Sequence, residues 1–269
     1  MAANHIETSA MTLSRVEQND PALKELTVSN AGGFGTIFYY WPNNSADLAR
    51  LGDAIGNNMN LRRLDIHNAR ALADMAANDG SFFEGLKRNT SIYHLYLASC
   101  DLSGGMGRDI LNGFVANNTN LLSIAMYQCA LENGGADILL SAVTSCPNLR
   151  NITLPSYNID DDLLEDFVSG TIGRLFRSLV LSRNNFGRAG CEALAILLQD
   201  PNGNLTRLGL ERNNRIDDNC ATVLTNSLKV NRKLYHLNLS SSAITESGWD
   251  AFSQVLCNTS NVNATYLSN

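Results

Sequence analysis

The sequence predicts an α/β solenoid, a stack of strand-and-helix units whose parallel sheet forms the concave face and whose helices form the convex face. Three observations predict it. A strand-like phrase recurs along the chain, its copies are evenly spaced, and amphipathic helical patterns lie between the copies. Because one strand with one helix cannot bury its own apolar side chains, neighbouring units must stack. The stack should curve into a horseshoe, since the helix layer is wider than the strand layer.

The strand is the first element of each unit. Its phrase is LxxLxL, in which apolar and variable residues alternate with the two-residue period of a strand that buries one face. Successive copies start about 27 to 31 residues apart, a regular period typical of repeat architectures. The copies are LRRLDIHNA from Leu61, IYHLYLASC from Ile92, LLSIAMYQC from Leu121, LRNITLPSY from Leu149, FRSLVLSRN from Phe176, LTRLGLERN from Leu205 and LYHLNLSSS from Leu234.

The helix is the second element of each unit. Three stretches place apolar residues at i, i+3 and i+4, the spacing of one buried helix face. They are GCEALAILLQ from Gly190, NCATVLTNSLK from Asn219 and GWDAFSQVLCN from Gly248. Each unit is therefore predicted to be one strand followed by one helix.

The chain divides into three predicted parts. Residues 1–22 are expected to form a flexible N-terminal tail, residues 23–60 an N-terminal capping repeat, and residues 61–269 an array of about seven full repeats with an incomplete last strand. The aromatic run FGTIFYYWP from Phe34 belongs to the cap, because an open solenoid needs its first apolar end covered. The last strand, VNATYLSN from Val262, predicts either a fragment of a longer repeat protein or self-association through an uncapped C-terminal end.

Composition excludes several classes of protein. The formal net charge is -6, and no cluster of Lys and Arg suggests a nucleic-acid or anionic-membrane surface. No apolar run approaches the roughly 18 residues that a membrane span requires, and the N-terminus lacks a signal-peptide pattern. The 6 cysteines contain no CxxC pair, so we expect them to be reduced. These features predict a cytoplasmic protein that binds neither nucleic acid nor membrane.

Catalytic and metal-binding motifs are absent from the sequence. It contains no GxxxxGK[ST], GxSxG or HExxH motif, and its cysteines and histidines lack metal-ligand spacing. We therefore expect no enzyme activity, no cofactor and no metal. Asp160, Asp161 and Asp162 are expected to cap a helix rather than to bind calcium. At the ninth repeat position, Cys100, Cys129, Asn184 and Asn213 are expected to satisfy backbone groups where the chain leaves the strand.

The stretch FGRAGCEALAILLQDPNGNLTRLGLERNNRI, Phe186 to Ile216, resembles the ribonuclease-inhibitor-like class of leucine-rich-repeat proteins, which includes the repeat regions of nucleotide-binding immune receptors. The resemblance covers most of the chain from about Leu61 onward. It implies a fold much more specifically than a function, because the family holds inhibitors, receptors, adaptors and GTPase-activating proteins.

Candidate binding residues lie at the variable positions of the strands. The third, fifth, seventh and eighth residues of each phrase are expected to project from the concave face, because strand side chains alternate. Three rings at or near the same height on successive strands form a predicted aromatic anchor, and arginines at the eighth position form a basic spot. The candidate protein-binding residues are Asp65, His67, His94, Tyr96, Tyr127, Arg183, Arg207, Glu211 and Arg212.

The predicted function is that of a non-catalytic protein-interaction module, a scaffold, inhibitor or recognition component that binds a protein partner through the concave face. Tyr and Arg often carry interface energy, and solenoids present extended concave surfaces. Three alternatives stay open. The exposed Tyr and Arg side chains would cover a solvated sheet without a partner, or the chain would be a GTPase-activating protein resembling the Ran activators, or it would read substrates for a ubiquitin-ligase adaptor.

Overall fold

A computed structural model describes residues 9–29, 38–67, 81–100, 113–115, 118–131, 135–256 and 266–268. The fold is α/β, and the chain divides into two compact units, Met1–Leu149 and Arg150–Asn269. Within each unit, every strand pairing described is parallel. No helix in the described ranges is long and apolar enough to cross a membrane.

The described part of the first unit begins with a helix, which is followed by strands and further helices. Its strands pair in the order β2, β1, β3, β4, β5. Its elements are α1 (Ser9–Glu17), β1 (Glu25–Val28), β2 (Tyr39–Tyr40), α2 (Ser45–Asn57), β3 (Arg63–His67), α3 (Ser81–Arg88), β4 (His94–Ala98), β5 (Ser123–Tyr127) and α4 (Gly135–Ser145).

The second unit is a regular alternation of strand and helix. Its strands pair in sequence order, β6 to β10. Its elements are β6 (Asn151–Thr153), α5 (Asp161–Ser169), β7 (Ser178–Val180), α6 (Arg188–Gln199), β8 (Arg207–Gly209), α7 (Asp218–Leu228), β9 (His236–Asn238), α8 (Glu246–Leu256) and β10 (Tyr266–Ser268).

The repeated phrase forms the strands, and its copies pair in register. In the second unit Leu208 of β8 lies between Leu179 and Leu237, the residues at the same repeat position on the flanking strands. All three side chains are fully buried. The phrase recurs because each of these leucines occupies the same core layer of the sheet, which requires an apolar side chain in every repeat.

The predicted helices are also present. The stretches from Gly190 and Asn219 form α6 and α7, and Gly248–Leu256 of the third stretch lies in α8. Helices α5, α6, α7 and α8 pack each on the next. In the first unit α2 packs closely against α3, with Gly52 and Gly85 at the contact. A Cβ atom added to Gly85 would collide with the Gly52 backbone, so these helices approach closely only because both residues are glycine.

The N-terminal part differs from the flexible tail predicted for residues 1–22. Ser9–Glu17 form helix α1, and its Leu13 and Val16 are buried. Arg15 of this helix lies over the ring of Phe38, with its guanidinium carbon 4.3 Å from the ring centroid. The sequence prediction missed this helix because its apolar face is short and is completed by the packing of residues distant in sequence.

Two residues of the predicted cap form the edge strand of the first unit's sheet. Tyr39–Tyr40 form β2, which pairs with β1 on the side opposite β3. Tyr40 is buried, and α1 contacts both β2 and α2. The first part of the aromatic run, up to residue 37, lies outside the described residues.

Candidate protein-interaction surface

The strand ladder extends beyond the strands themselves. The backbone N–H of the eighth residue donates to the carbonyl of the seventh residue in the next repeat: Ser99 to Tyr127, Arg183 to Glu211, and Arg212 to Ser240, each at 2.9 Å. These bonds hold the ends of neighbouring phrases at a fixed spacing. Side chains at the seventh and eighth positions are therefore positioned by the backbone of the sheet.

The eighth residue projects for a different reason from the one predicted. It does not continue the strand alternation, because its backbone adopts a left-handed conformation with a positive φ. The residue is exposed in every described repeat that has this geometry. The set, with φ between 51° and 65°, is Ser99, Gln128, Ser156, Arg183, Arg212 and Ser241.

The ninth residue satisfies the backbone, as the sequence predicted. Asn213 is fully buried, donates to the carbonyls of Leu181 and Leu210 at 3.0 and 2.8 Å, and accepts from the N–H of Asn184 at 2.7 Å. Asn184 makes equivalent bonds to the preceding repeat. In the first unit Cys100 occupies this position, and its thiol donates to the Ile66 carbonyl at 3.5 Å.

A second series of asparagines, buried or half-buried, was not predicted. Asn89 lies three residues before Ile92, donates to the carbonyls of Ile55 and Asn58, and accepts from the N–H of Ile92. Asn58 and Asn231 accept from the first residue of their own phrases in the same way. The signal was present in the sequence, because Asn recurs three residues before the phrase in several repeats.

Three rings form a continuous row on the first unit, which we call the aromatic row: His67, Tyr96 and Tyr127. The ring centroids of His67 and Tyr96 are 5.3 Å apart, and those of Tyr96 and Tyr127 are 5.5 Å apart. Both pairs are tilted, a geometry that favours aromatic contact. Tyr127 is 38% exposed, so the row presents apolar ring surface to solvent.

The register shows how the row is built. His67 and Tyr127 both pair with Ala98, whereas Tyr96 pairs with Asp65 and Ala125. The backbone position of Tyr96 is therefore offset by two residues along the strand from those of His67 and Tyr127, and its ring contacts their rings diagonally. Alanines at positions 98 and 125 leave room for this, since a larger side chain at either position would lie beside the rings.

Asp65 does not act as a free carboxylate beside the row. It is only 6% exposed, and both of its oxygens accept from Arg63 at 2.9 to 3.1 Å. A buried carboxylate needs such a partner, and the planar guanidinium supplies two donors. Arg63, which the site prediction omitted, is thus the residue that neutralises Asp65.

Burial sets the protonation of the histidines near the row. It lowers the pKa of His67 and of His94 below the ordinary histidine value, and the Arg63 charge lowers the pKa of both further. Burial also raises the pKa of Tyr96. At neutral pH the rings of His67 and Tyr96 are therefore uncharged, with the Arg63–Asp65 ion pair beside them.

The second unit carries the predicted basic residues. Arg183, Arg207 and Arg212 are exposed, and Glu211 is half-buried. Arg207 pairs with Ser178 and His236 on the flanking strands, while Arg183 and Arg212 follow the ends of β7 and β8. The structure describes these residues and the aromatic row in different units, so we treat the two surfaces separately.

The aspartates and cysteines have structural roles in the described residues. Asp160 caps α5 by accepting from the N–H of Leu163, as expected. The described cysteines are buried, and no group of three or more potential ligands in the described ranges could hold a metal ion. A hydrogen bond with Cys220, together with burial, raises the pKa of Cys191, which keeps its thiol protonated. Cys257 lies outside the described residues.

No family model matches the chain. It is similar to proteins whose names contain the term LRR. NACHT, LRR and PYD domains-containing protein 3 of Bos taurus is 29% identical over 199 residues, which are 72% of this chain and 19% of the relative. Protein 14 of the same series, from Mus musculus, is 28% identical over 66% of this chain and 18% of the relative. Protein 12 from Mus musculus is 30% identical over 51% of this chain and 13% of the relative.

The chain spans about a fifth of the length of these relatives or less. The similarity indicates relatedness to proteins that are named for their LRR regions. It agrees in this coarser sense with the resemblance found in the sequence.

Proposed function

We propose that this chain is a non-catalytic protein-interaction module, a scaffold, inhibitor or recognition component that binds a protein through the variable face of its strands. The aromatic row carries the proposal. It presents two tyrosines and a neutral histidine in contact with one another, and aromatic side chains are enriched at the centres of protein interfaces.

The same proposal includes the repeat type and the compartment. A strand and a full helix per repeat, with buried Asn or Cys after the strand, favour a leucine-rich-repeat solenoid of the ribonuclease-inhibitor-like type. The similarity to NACHT, LRR and PYD domains-containing proteins supports this assignment. The buried cysteines, which lack CxxC spacing, favour a reducing, cytoplasmic setting.

The aromatic row is also physically suited to binding a protein partner. Its rings rest on one another and on the backbone of the sheet, so little side-chain freedom is lost when a partner covers them. The rings of His67 and Tyr96 carry no charge at neutral pH, and the neighbouring carboxylate of Asp65 is already neutralised by Arg63. Covering the aromatic row therefore costs little desolvation free energy, and a partner contacts polar groups only at the edge of the row.

The test compares partner capture by the wild-type chain with capture by Tyr96→Ala and Tyr127→Ala. Each substitution should weaken the binding of a captured partner by about 2 kcal/mol, roughly thirtyfold in affinity. The helicity measured by circular dichroism should not change. Tyr235→Ala is the matched control, because Tyr235 is 57% exposed but lies in the second unit, outside the row. Partners that bind both row variants as tightly as wild type would contradict the proposal.

A further inference from the structure

Three arginines of the second unit are exposed without a carboxylate partner. Within the described ranges, Arg183, Arg207 and Arg212 take part in no ion pair and no side-chain hydrogen bond. The chain as a whole is acidic, with 26 Asp and Glu against 20 Lys and Arg. Elsewhere in the same unit, Arg188 and Arg215 do pair with carboxylates.

Arg183 and Arg212 occupy the same repeat position on adjacent repeats. The Arg183 N–H bonds the Glu211 carbonyl, so the two left-handed residues follow strand ends that lie about 5 Å apart. Two like charges at this spacing repel each other. The fold does not require them, because the equivalent residues in other repeats are Ser99, Gln128, Ser156 and Ser241.

Ser182 adds a buried donor next to these arginines. It is 4% exposed, and its hydroxyl has no hydrogen-bond partner among the described residues. A buried hydroxyl without a partner destabilises the protein, so a ligand atom that accepts from it would be favoured. Guanidinium groups only donate hydrogen bonds, and the backbone carbonyl of Ser182 already accepts from the N–H of Ser156. The ligand must therefore supply the acceptor atoms.

Glu211 restricts the chemistry of that ligand. It lies between Arg183 and Arg212 in the ladder, and its half-buried carboxylate is the one negatively charged side chain among Ser182, Arg183, Glu211 and Arg212. A phosphate dianion would be repelled by this carboxylate and has few protons to donate to it. A peptide offers both groups, since its Asp and Glu side chains accept from arginine while its backbone N–H groups donate to Glu211.

We propose that the strand ends of the second unit bind an acidic peptide segment of a protein partner, with Arg183 and Arg212 binding its carboxylates, Ser182 donating its hydroxyl, and Glu211 accepting a backbone N–H. Arg207, at the start of β8, extends the basic surface along the strand. The inference rests on the proposed interaction function, but it concerns different residues from the aromatic row and names the chemistry of the partner.

The test uses a fluorescent peptide of alternating Glu and Gly, and its Gln counterpart, with the full chain in fluorescence anisotropy. The Glu peptide should bind and the Gln peptide should not. Arg183→Ser with Arg212→Ser, which copies the serines of other repeats, should weaken binding at least about tenfold. Arg188→Ser removes one positive charge from helix α6, half the charge change of the double variant, and should change binding less than about twofold, because Arg188 is already paired with Glu192.

Ser182→Ala separates a binding role from a structural one. Since its hydroxyl makes no hydrogen bond in the described protein, the variant should unfold at the same or a higher denaturant concentration. Its affinity for the Glu peptide should nevertheless fall severalfold. A Ser182→Ala variant that binds the peptide as tightly as wild type would overturn the role given to Ser182.

Other outcomes would overturn the site as a whole. If Arg188→Ser weakened peptide binding equally, the loss of binding would come from overall charge. If millimolar inorganic phosphate competed with the Glu peptide, the surface would be a general anion site. The two tests use different residues and probes, because the aromatic-row test follows captured partners of the Tyr96 and Tyr127 variants, and this test follows the Glu peptide with variants of Ser182, Arg183 and Arg212. If the aromatic-row variants kept their captured partners, the peptide result could still be interpreted. A failure of the peptide test would likewise leave the partner-capture result interpretable.

Discussion

At the residue scale, small buried polar side chains determine where each phrase ends. Asn213 bonds two carbonyls and one N–H at a turn that carries no regular ladder. Cys100 and Cys129 fill the same position in the first unit with longer and weaker sulfur bonds. The position thus selects for size and for polarity together, which explains why both Asn and Cys occur there.

We expect Asn213→Ala to lower the free energy of unfolding by about 3 kcal/mol, because it leaves buried backbone groups without partners. Asn213→Cys, which copies Cys100, should recover part of this loss. Urea unfolding followed by circular dichroism measures both. Asn214→Ala is the control, since Asn214 is exposed and should change stability by less than about 0.5 kcal/mol. Equal effects at both positions would contradict the structural role.

The candidate residues also show what the sequence could and could not predict. Strand alternation placed His67, Tyr96 and Tyr127 on one face, and the rings do touch. Alternation could not show that Asp65 is buried, because its pairing with Arg63 depends on side-chain conformations rather than on spacing. Nor could it show the positive φ at the eighth position, since Arg183 is not the Gly or Asn that usually marks such a backbone.

At the scale of helices and strands, carboxylates join one repeat to the next. Asp217 caps its own helix α7, while Asp218 accepts from the N–H and hydroxyl of Thr245, just before helix α8. Asp161 makes the same kind of link, accepting from Gly187 and Gly190 at the start of α6. Helix order along the chain is thus reinforced by bonds at the helix N-termini.

The link between α7 and α8 should depend on pH. The hydrogen bond from the Thr245 side chain, with help from its backbone N–H, lowers the pKa of Asp218 below the ordinary aspartate value. A carboxylate with a lowered pKa stabilises the fold above its unfolded-state pKa of about 3.9, and this stabilisation is lost as pH falls through the folded-state value. Thr245→Val should therefore lower the melting temperature at pH 7 and have a smaller effect near pH 3.

Thermal unfolding of wild type and Thr245→Val at both pH values measures this difference. Ser247→Ala provides the control, because Ser247 is exposed on the same helix. A loss of stability in Thr245→Val that is the same at pH 3 as at pH 7 would show that ionised Asp218 is not the partner that matters.

The contact between α2 and α3 depends on the absence of side chains. In an open helix, replacing Gly with Ala stabilises by up to about 1 kcal/mol, because alanine has the higher helix propensity. Gly85→Ala should instead destabilise by about 1–3 kcal/mol, since its Cβ would collide with the Gly52 backbone. Ser141→Ala, at an exposed position of α4, should be neutral or slightly stabilising in the same urea assay. Stabilisation by Gly85→Ala would disprove the close packing.

At the scale of the whole molecule, the sequence predicted the repeating units better than their first member. The period, the strand phrase and the helices α6 to α8 were all readable, because each repeat supplies an independent copy of the same pattern. Helix α1 and strand β2 occur once and follow no repeat, so only their contacts with one another and with the first repeats reveal them. Capping elements are the part of a repeat protein that periodicity cannot predict.

The repeat organisation makes a specific prediction for Leu208→Ala. Leu208 is fully buried between Leu179 and Leu237, so its truncation should cost about 2–5 kcal/mol and broaden the unfolding transition. In a linear array each repeat contacts mainly its neighbours, and a local loss therefore spreads outward with decreasing effect. Hydrogen exchange should show the largest loss of amide protection in β7, β8 and β9, and a smaller loss in β6. A uniform loss across the second unit would show that it unfolds as one cooperative block, and an unchanged stability would contradict the strand assignment itself.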